Sequence, residues 1–234
     1  MSGEPNAGFS PVPWTVRDIA KAIAVVILLL ILASLVIGLL ALAFGESLDN
    51  WALLGLLGIA LYGFMLLAVW RLSVVKYRCG WDALGFRSLN VKRALTLAAV
   101  VIGAALLINL LYEVLINYLG LGPLDPEPVP VEYTEGSLNL AVLSFLALIA
   151  APVAEETFFR GFVFAGAEKR LGYAQGAILS ALLFALAHVE PGALIPIFLL
   201  GLLLVWLYVR TRSIWACIFT HSLYNSIALL FVII

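Results

Sequence analysis

Apolar residues run along this chain in long unbroken blocks, not in the alternating or 3.6-residue pattern of an element half in water. Residues 22–44 carry no charge, and neither do residues 51–70, which have tryptophan at both ends. Each block matches the roughly 20 residues that a helix needs to cross a bilayer. Trp51 and Trp70 fit the two membrane–water interfaces. Block 22–44 is too long for the core of a signal peptide. A third block spans 94–119, with Glu113 near its far end, and four more follow at 138–168, 171–188, 192–209 and 213–234. The pattern predicts an all-α, multipass transmembrane helical bundle of about seven helices, with no internal repeat.

The polar stretches divide these blocks. Residues 1–18, with Pro5, Pro11 and Pro13, read as an exposed arm, and 45–50 as a short acidic turn. Residues 71–93 form a polar loop, and 120–136 an extended loop rich in proline and acidic residues. The expected organisation is a cytoplasmic N-terminal arm (1–21), N-terminal transmembrane helices and loops (22–136), and a core carrying the chemistry (137–234).

Composition narrows the class further. The chain is 64% hydrophobic and 12% charged, and its mean hydropathy is +1.13. That excess is beyond what a soluble domain of 234 residues uses. Twelve of the 13 lysines and arginines fall on one side if the helices alternate from a cytoplasmic N-terminus. The positive-inside rule then sets the N-terminus in the cytoplasm, the C-terminus outside, and the chain in the cell membrane. No basic patch with interleaved aromatics occurs, so nucleic acid is not a candidate partner. Cys79 and Cys217 read as free thiols without a function.

The remaining cation, Arg160, lies in the apolar stretch Ala154–Phe162 together with Glu155 and Glu156. Each charge inside a bilayer costs about 2.5–3.5 kcal/mol on insertion scales, so the three need partners or a task. Glu156 and Arg160 stand four apart and share a helix face. Glu155 points about 100° away and gains nothing from that arginine. The two histidines, His188 and His221, also fall within apolar blocks. Phe184 shares a face with His188, and Asn225 with His221. Counting about 1.5 Å per residue from the inner surface places Glu155 and His188 near 22 Å, Asn225 near 20 Å and His221 near 14 Å. Three helices therefore bring polar groups to a similar depth.

The segments EETFFRGF, FALAH and THSLYNS, in this order, resemble the EExxxR, FxxxH and HxxxN/D signatures of the CPBP intramembrane proteases. That group includes the type II CAAX prenyl endopeptidases and the Abi-type proteins. The resemblance covers roughly residues 138–228, and before it only GWDALGF (80–86) is faintly similar. It implies an endopeptidase that hydrolyses a peptide bond of a membrane-associated protein or peptide substrate, with the lipid bilayer as its other partner. Glu155 would be the general base, with His188 holding the attacking water. His221 and Asn225 would donate to the oxyanion, and Glu156, Arg160 and Phe184 would support them. No serine or cysteine sits in a matching motif, so a covalent nucleophile is not indicated.

Other readings stay open. Two histidines and a glutamate (Glu155, His188, His221) would suffice for Zn²⁺. The favoured expectation is no cofactor and no metal, since no HExxH pair exists. A non-catalytic membrane binding or immunity protein of the same fold is one alternative function. A proton-coupled transporter is another, although no inverted repeat supports it.

The orientation is directly testable. A topology reporter fused after Ile234 should register the outer side, and one after Arg87 the cytoplasm. An inside signal from the C-terminal fusion would overturn the assignment.

Overall fold

The computed structural model describes residues 12–44, 50–126 and 136–233. Parts of three expectations lie outside these residues: the arm over 1–11, the acidic turn over 45–49, and the proline-rich loop over 127–135. Seven helices account for most of the described chain. They are α1 (Val16–Phe44), α2 (Asn50–Val69, extended by one wide π turn, Trp70–Val75), α3 (Val91–Leu119), α4 (Ser137–Leu171), α5 (Tyr173–Ala187), α6 (Leu194–Thr211) and α7 (Ile214–Ile233). No strand occurs among the described residues. All but α5 are long and apolar enough to cross a membrane, and the protein is an integral membrane protein.

Burial is inverted relative to a soluble fold. Leu28, Ile31, Leu35 and Leu39 of α1 and Leu107, Leu110, Leu111 and Val114 of α3 are exposed. Such a continuous apolar surface matches the hydrocarbon of a bilayer. Packing inside relies on close approaches. A Cβ on Gly161 would lie 2.6 Å from the Leu84 carbonyl oxygen, so α4 can accept that neighbour only with glycine there. The neighbour is the short 3₁₀ turn Trp81–Leu84 of the GWDALGF segment. Its Leu84 is fully buried, and its carbonyl accepts the Tyr208 hydroxyl at 3.3 Å. The Gly85 and Arg87 carbonyls accept the Ile214 N–H (2.7 Å) and the Ser213 hydroxyl (2.7 Å) at the start of α7. The segment is therefore a plug under the helices that carry the motifs.

Helix α4 is not regular. It widens into π turns at Leu146–Ala150 and Glu156–Phe164. Pro152 gives the first a cause: it has no N–H and crowds the preceding turn, so the Leu148 carbonyl loses its i+4 partner, next to the Ala147 carbonyl in the wide turn. Within a bilayer such groups must be satisfied by protein. Helix α7 supplies both bonds, from the Ser222 hydroxyl to Leu148 O (2.6 Å) and from Asn225 Nδ2 to Ala147 O (2.8 Å). Around the second wide stretch, Ser180 of α5 donates to Phe159 O (2.8 Å).

The Trp14 indole donates to Phe162 O at 2.8 Å, and this bond corrects one expectation. Residues 12–18 are not an exposed arm: Val12 and Asp18 are buried and Trp14 is fully so. Trp14 also stacks on the Phe162 ring, and Gly166 makes room for its indole. Lys169 Nζ holds the Val12 carbonyl at 2.9 Å. Helix α1 starts at Val16 because Thr15 caps it, with the Asp18 carboxylate accepting the Thr15 N–H at 2.9 Å as in a capping box. Asp18 also binds Lys76 and accepts the Tyr77 hydroxyl. The hydrogen bond to Asp18 raises the Lys76 pKa above its ordinary value.

Trp14→Phe removes one of two donors to the Phe162 carbonyl, which keeps the Ala165 N–H, and should cost about 0.5–1.5 kcal/mol. Trp14→Ala, which also empties the site, should cost about 3–5 kcal/mol. Equilibrium unfolding of the detergent-solubilised variants measures both, and wild-type stability in Trp14→Ala would show that the segment is not part of the core.

Candidate active site

The site forms where the two adjacent glutamates of α4 face α7. Glu156 is fully buried, and its Oε1 lies 2.9 Å from Arg160 Nη1 and 2.8 Å from His221 Nδ1. One carboxylate oxygen thus serves a guanidinium one turn away and an imidazole from another helix. Arg160 is also fully buried; its Nη2 donates to the Gly201 carbonyl of α6 at 3.3 Å, and its guanidinium lies 4.1 Å from the centroid of the Phe184 ring. The arginine is therefore held by a carboxylate, a carbonyl and an aromatic face together.

Phe184 of α5 is more than packing. Its ring meets Phe159, His188 and His221 edge-on, at centroid distances of 5.4, 4.8 and 5.8 Å. It spaces the two histidines and roofs the arginine. His188 caps the end of α5, where carbonyls lack helical partners. Its Nδ1 lies 2.8 Å from the Phe184 carbonyl, so Nδ1 carries the proton and, in the neutral ring, Nε2 offers a lone pair. The chain then turns sharply, with Val189 at φ 53°. His188 itself is exposed, on the rim of the site.

Glu155 differs from its neighbour. Its Oε2 is buried without a hydrogen-bond partner, and the nearest charged contact is His221 Nε2 at 3.9 Å, too long for a hydrogen bond. His221 therefore sits between the two carboxylates, bonded to Glu156 and facing Glu155. The depth count on straight helices had set His221 about 8 Å from the level of Glu155. The structure instead brings His221 Nε2 to 3.9 Å from Glu155 Oε2, so a count along straight helices misplaces it. Asn225 lies one turn beyond His221, but one of its amide hydrogens is committed to Ala147 O. Only the second is free for another partner.

Among the described residues no three His, Cys, Asp or Glu side chains are grouped as a metal ion requires. His221 turns Nδ1 to Glu156 and Nε2 toward Glu155. Cys217 is buried, with its sulfur 3.5 Å from Leu204 O, and Cys79 lies outside the site. The groups that motif spacing did not reveal are those holding α4 in place: Trp14, Pro152, Ser180 and Ser222. Pro152 was the available signal, since a proline within an apolar span leaves carbonyls needing donors.

Comparison with known proteins points to the same half of the molecule. The family model described as type II CAAX prenyl endopeptidase Rce1-like matches residues 137–227, which run from α4 into α7. A Bacillus subtilis (strain 168) protein named "Putative membrane peptidase YdiL" is 26% identical over 85 residues, covering 36% of this chain and 35% of that protein. The alignment thus spans about a third of the relative's length. No solved structure matches. The glutamate pair, the arginine and both histidines all lie on the matched helices, so the similarity to the Rce1-like proteins falls on the residues of the site.

Proposed function

We propose that this protein is an intramembrane endopeptidase in which Glu155 activates a water molecule for attack on a peptide bond of a membrane-associated substrate. The observation that carries this reading is the unequal treatment of the two glutamates. Glu156 Oε1 is bound by both Arg160 and His221, whereas Glu155 Oε2 has no hydrogen bond and meets only His221 Nε2, at 3.9 Å. An unpartnered carboxylate in a water-poor site is poised to take a proton from a bound water. The exposed His188, with Nε2 as an acceptor, stands at the rim where that water enters.

The tetrahedral intermediate needs hydrogen-bond donors for its oxyanion. Asn225 supplies its second amide hydrogen. His221 donates from Nε2 only as the imidazolium, because Nδ1–H already serves Glu156. Glu156 orients the His221 ring through Nδ1, so it acts through His221 as well as through Arg160. The match of residues 137–227 to the Rce1-like endopeptidase model supports hydrolysis of peptide bonds. The cation bias supports an orientation with the lysine- and arginine-rich loops in the cytoplasm.

The test is cleavage of membrane-anchored peptides by purified protein, with zinc content measured in the same sample. Activity should survive exhaustive chelation, and Glu155→Gln should lower turnover at least about 10³-fold. One equivalent of tightly bound zinc, with activity lost on chelation and restored by Zn²⁺, would replace the glutamate mechanism with a metal-bound water.

A further inference from the structure

Helix α3 carries a polar stripe that the motifs do not use. Asn109, Tyr112, Glu113 and Asn117 recur at spacings of three and four, so they share one face of an otherwise apolar transmembrane helix. Polar groups in such a helix are costly and ordinarily face a cavity or a path. Here all four line one cavity of about 590 Å³. It lies at the end of the bundle away from the lysine- and arginine-rich loops. Glu113, near the far end of α3, is part of this wall.

The cavity is built, not incidental. Asn109 Nδ2 donates to the Tyr224 hydroxyl at 2.5 Å, fixing an α7 side chain across the space. Tyr112 donates to the Leu124 carbonyl at 3.1 Å and seats the loop that brings Asp125 to the rim. Gly192 meets that loop so closely that a Cβ there would lie 2.5 Å from the Asp125 carbonyl oxygen. The loop leading to Gly192 starts at His188, so the rim is tied to the catalytic layer.

The cavity also shares walls with the site, although Glu155, His188 and His221 do not line it. Tyr224 is three residues beyond His221, a rise of about 4.5 Å. Ile197, on the facing wall, precedes Gly201, the carbonyl partner of Arg160, by four residues or about 6 Å. An extended peptide advances about 3.3–3.6 Å per residue, so a side chain two or three positions from a bond held at Glu155 reaches the cavity.

Its chemistry selects the side chain. Glu113 and Asp125 are the charged residues of the lining, and no lysine or arginine is present to neutralise them. The phenols and amides add acceptors around them, while Pro196 and Ile197 provide an apolar wall for an aliphatic stem. Resting on the endopeptidase reading above, we infer that this cavity is a substrate subsite for a lysine or arginine side chain two or three residues from the scissile bond.

The test uses full-length protein and a set of otherwise identical membrane-anchored peptides carrying Lys, Arg, Gln or Glu at each position flanking the cleaved bond. Lys and Arg should exceed Glu by at least about tenfold in kcat/KM at one position two or three residues from that bond. Glu113→Gln combined with Asp125→Asn should collapse this ratio toward one. Glu190→Gln, which removes a carboxylate at the same end but outside the lining, should preserve it. No charge preference, or a preference that survives the double substitution, overturns the subsite. Should wild-type protein cleave none of the peptides, the endopeptidase reading is what fails, and binding of the same Lys and Glu peptides then decides the subsite alone. Tighter binding of the Lys peptide, lost in the double variant, supports it, and equal binding refutes it.

Discussion

Everything at the centre of this molecule depends on one buried oxygen, Glu156 Oε1, which is shared by Arg160 and His221. A guanidinium inside a bilayer protein is tolerable only when paired, and the pair is tolerable only when its remaining polar atoms find partners. The Gly201 carbonyl and the Phe184 ring meet part of that demand for Arg160, while Arg160 Nε and Glu156 Oε2 are buried without hydrogen-bond partners. The same oxygen orients His221, so a single charge balance joins α4 to α5, α6 and α7. With Glu156 Oε1 consumed in this way, Glu155 Oε2 is left beside it without a hydrogen bond, facing His221 Nε2 at 3.9 Å.

A second constraint shapes the scaffold around that pair. Wide turns and Pro152 remove carbonyls from the internal ladder of α4, and the bilayer offers no water to replace those bonds. Their partners come from elsewhere in the bundle: Ser222 and Asn225 from α7, Ser180 from α5, and Trp14 from the segment before α1. The irregularity of α4 is thus what fastens it to its neighbours. Asn225 has two tasks in this account, as a tie to α4 and as a donor facing the substrate.

The apolar blocks of the sequence are long enough that their number, order and approximate ends follow from bilayer thickness alone. The Glu156–Arg160 contact follows equally directly, because a spacing of four settles which residues share a face within one helix. Rotation between helices is not written in such spacing. Nothing in the chain announces that His221, 65 residues from Glu156, turns toward it rather than toward Glu155 alone. The prolines of the N-terminal segment suggested an arm and hid Trp14, whose anchoring depends on a carbonyl made available only by the three-dimensional path of α4. Thr15 and Asp18, spaced as a capping box, did mark the true start of α1. Pro152 likewise marked the carbonyls that Ser222 and Asn225 satisfy.

The central claim is that Glu156 is structurally committed while Glu155 is not, and the stability of two neighbouring substitutions measures it most directly. Unfolding of purified Glu155→Gln and Glu156→Gln should be compared in the same detergent. The account predicts a loss of about 3–5 kcal/mol in Glu156→Gln, where Arg160 and His221 lose their anion, and no loss in Glu155→Gln, where an unpaired buried carboxylate is removed. Equal losses in the two variants, or a loss confined to Glu155→Gln, would contradict it.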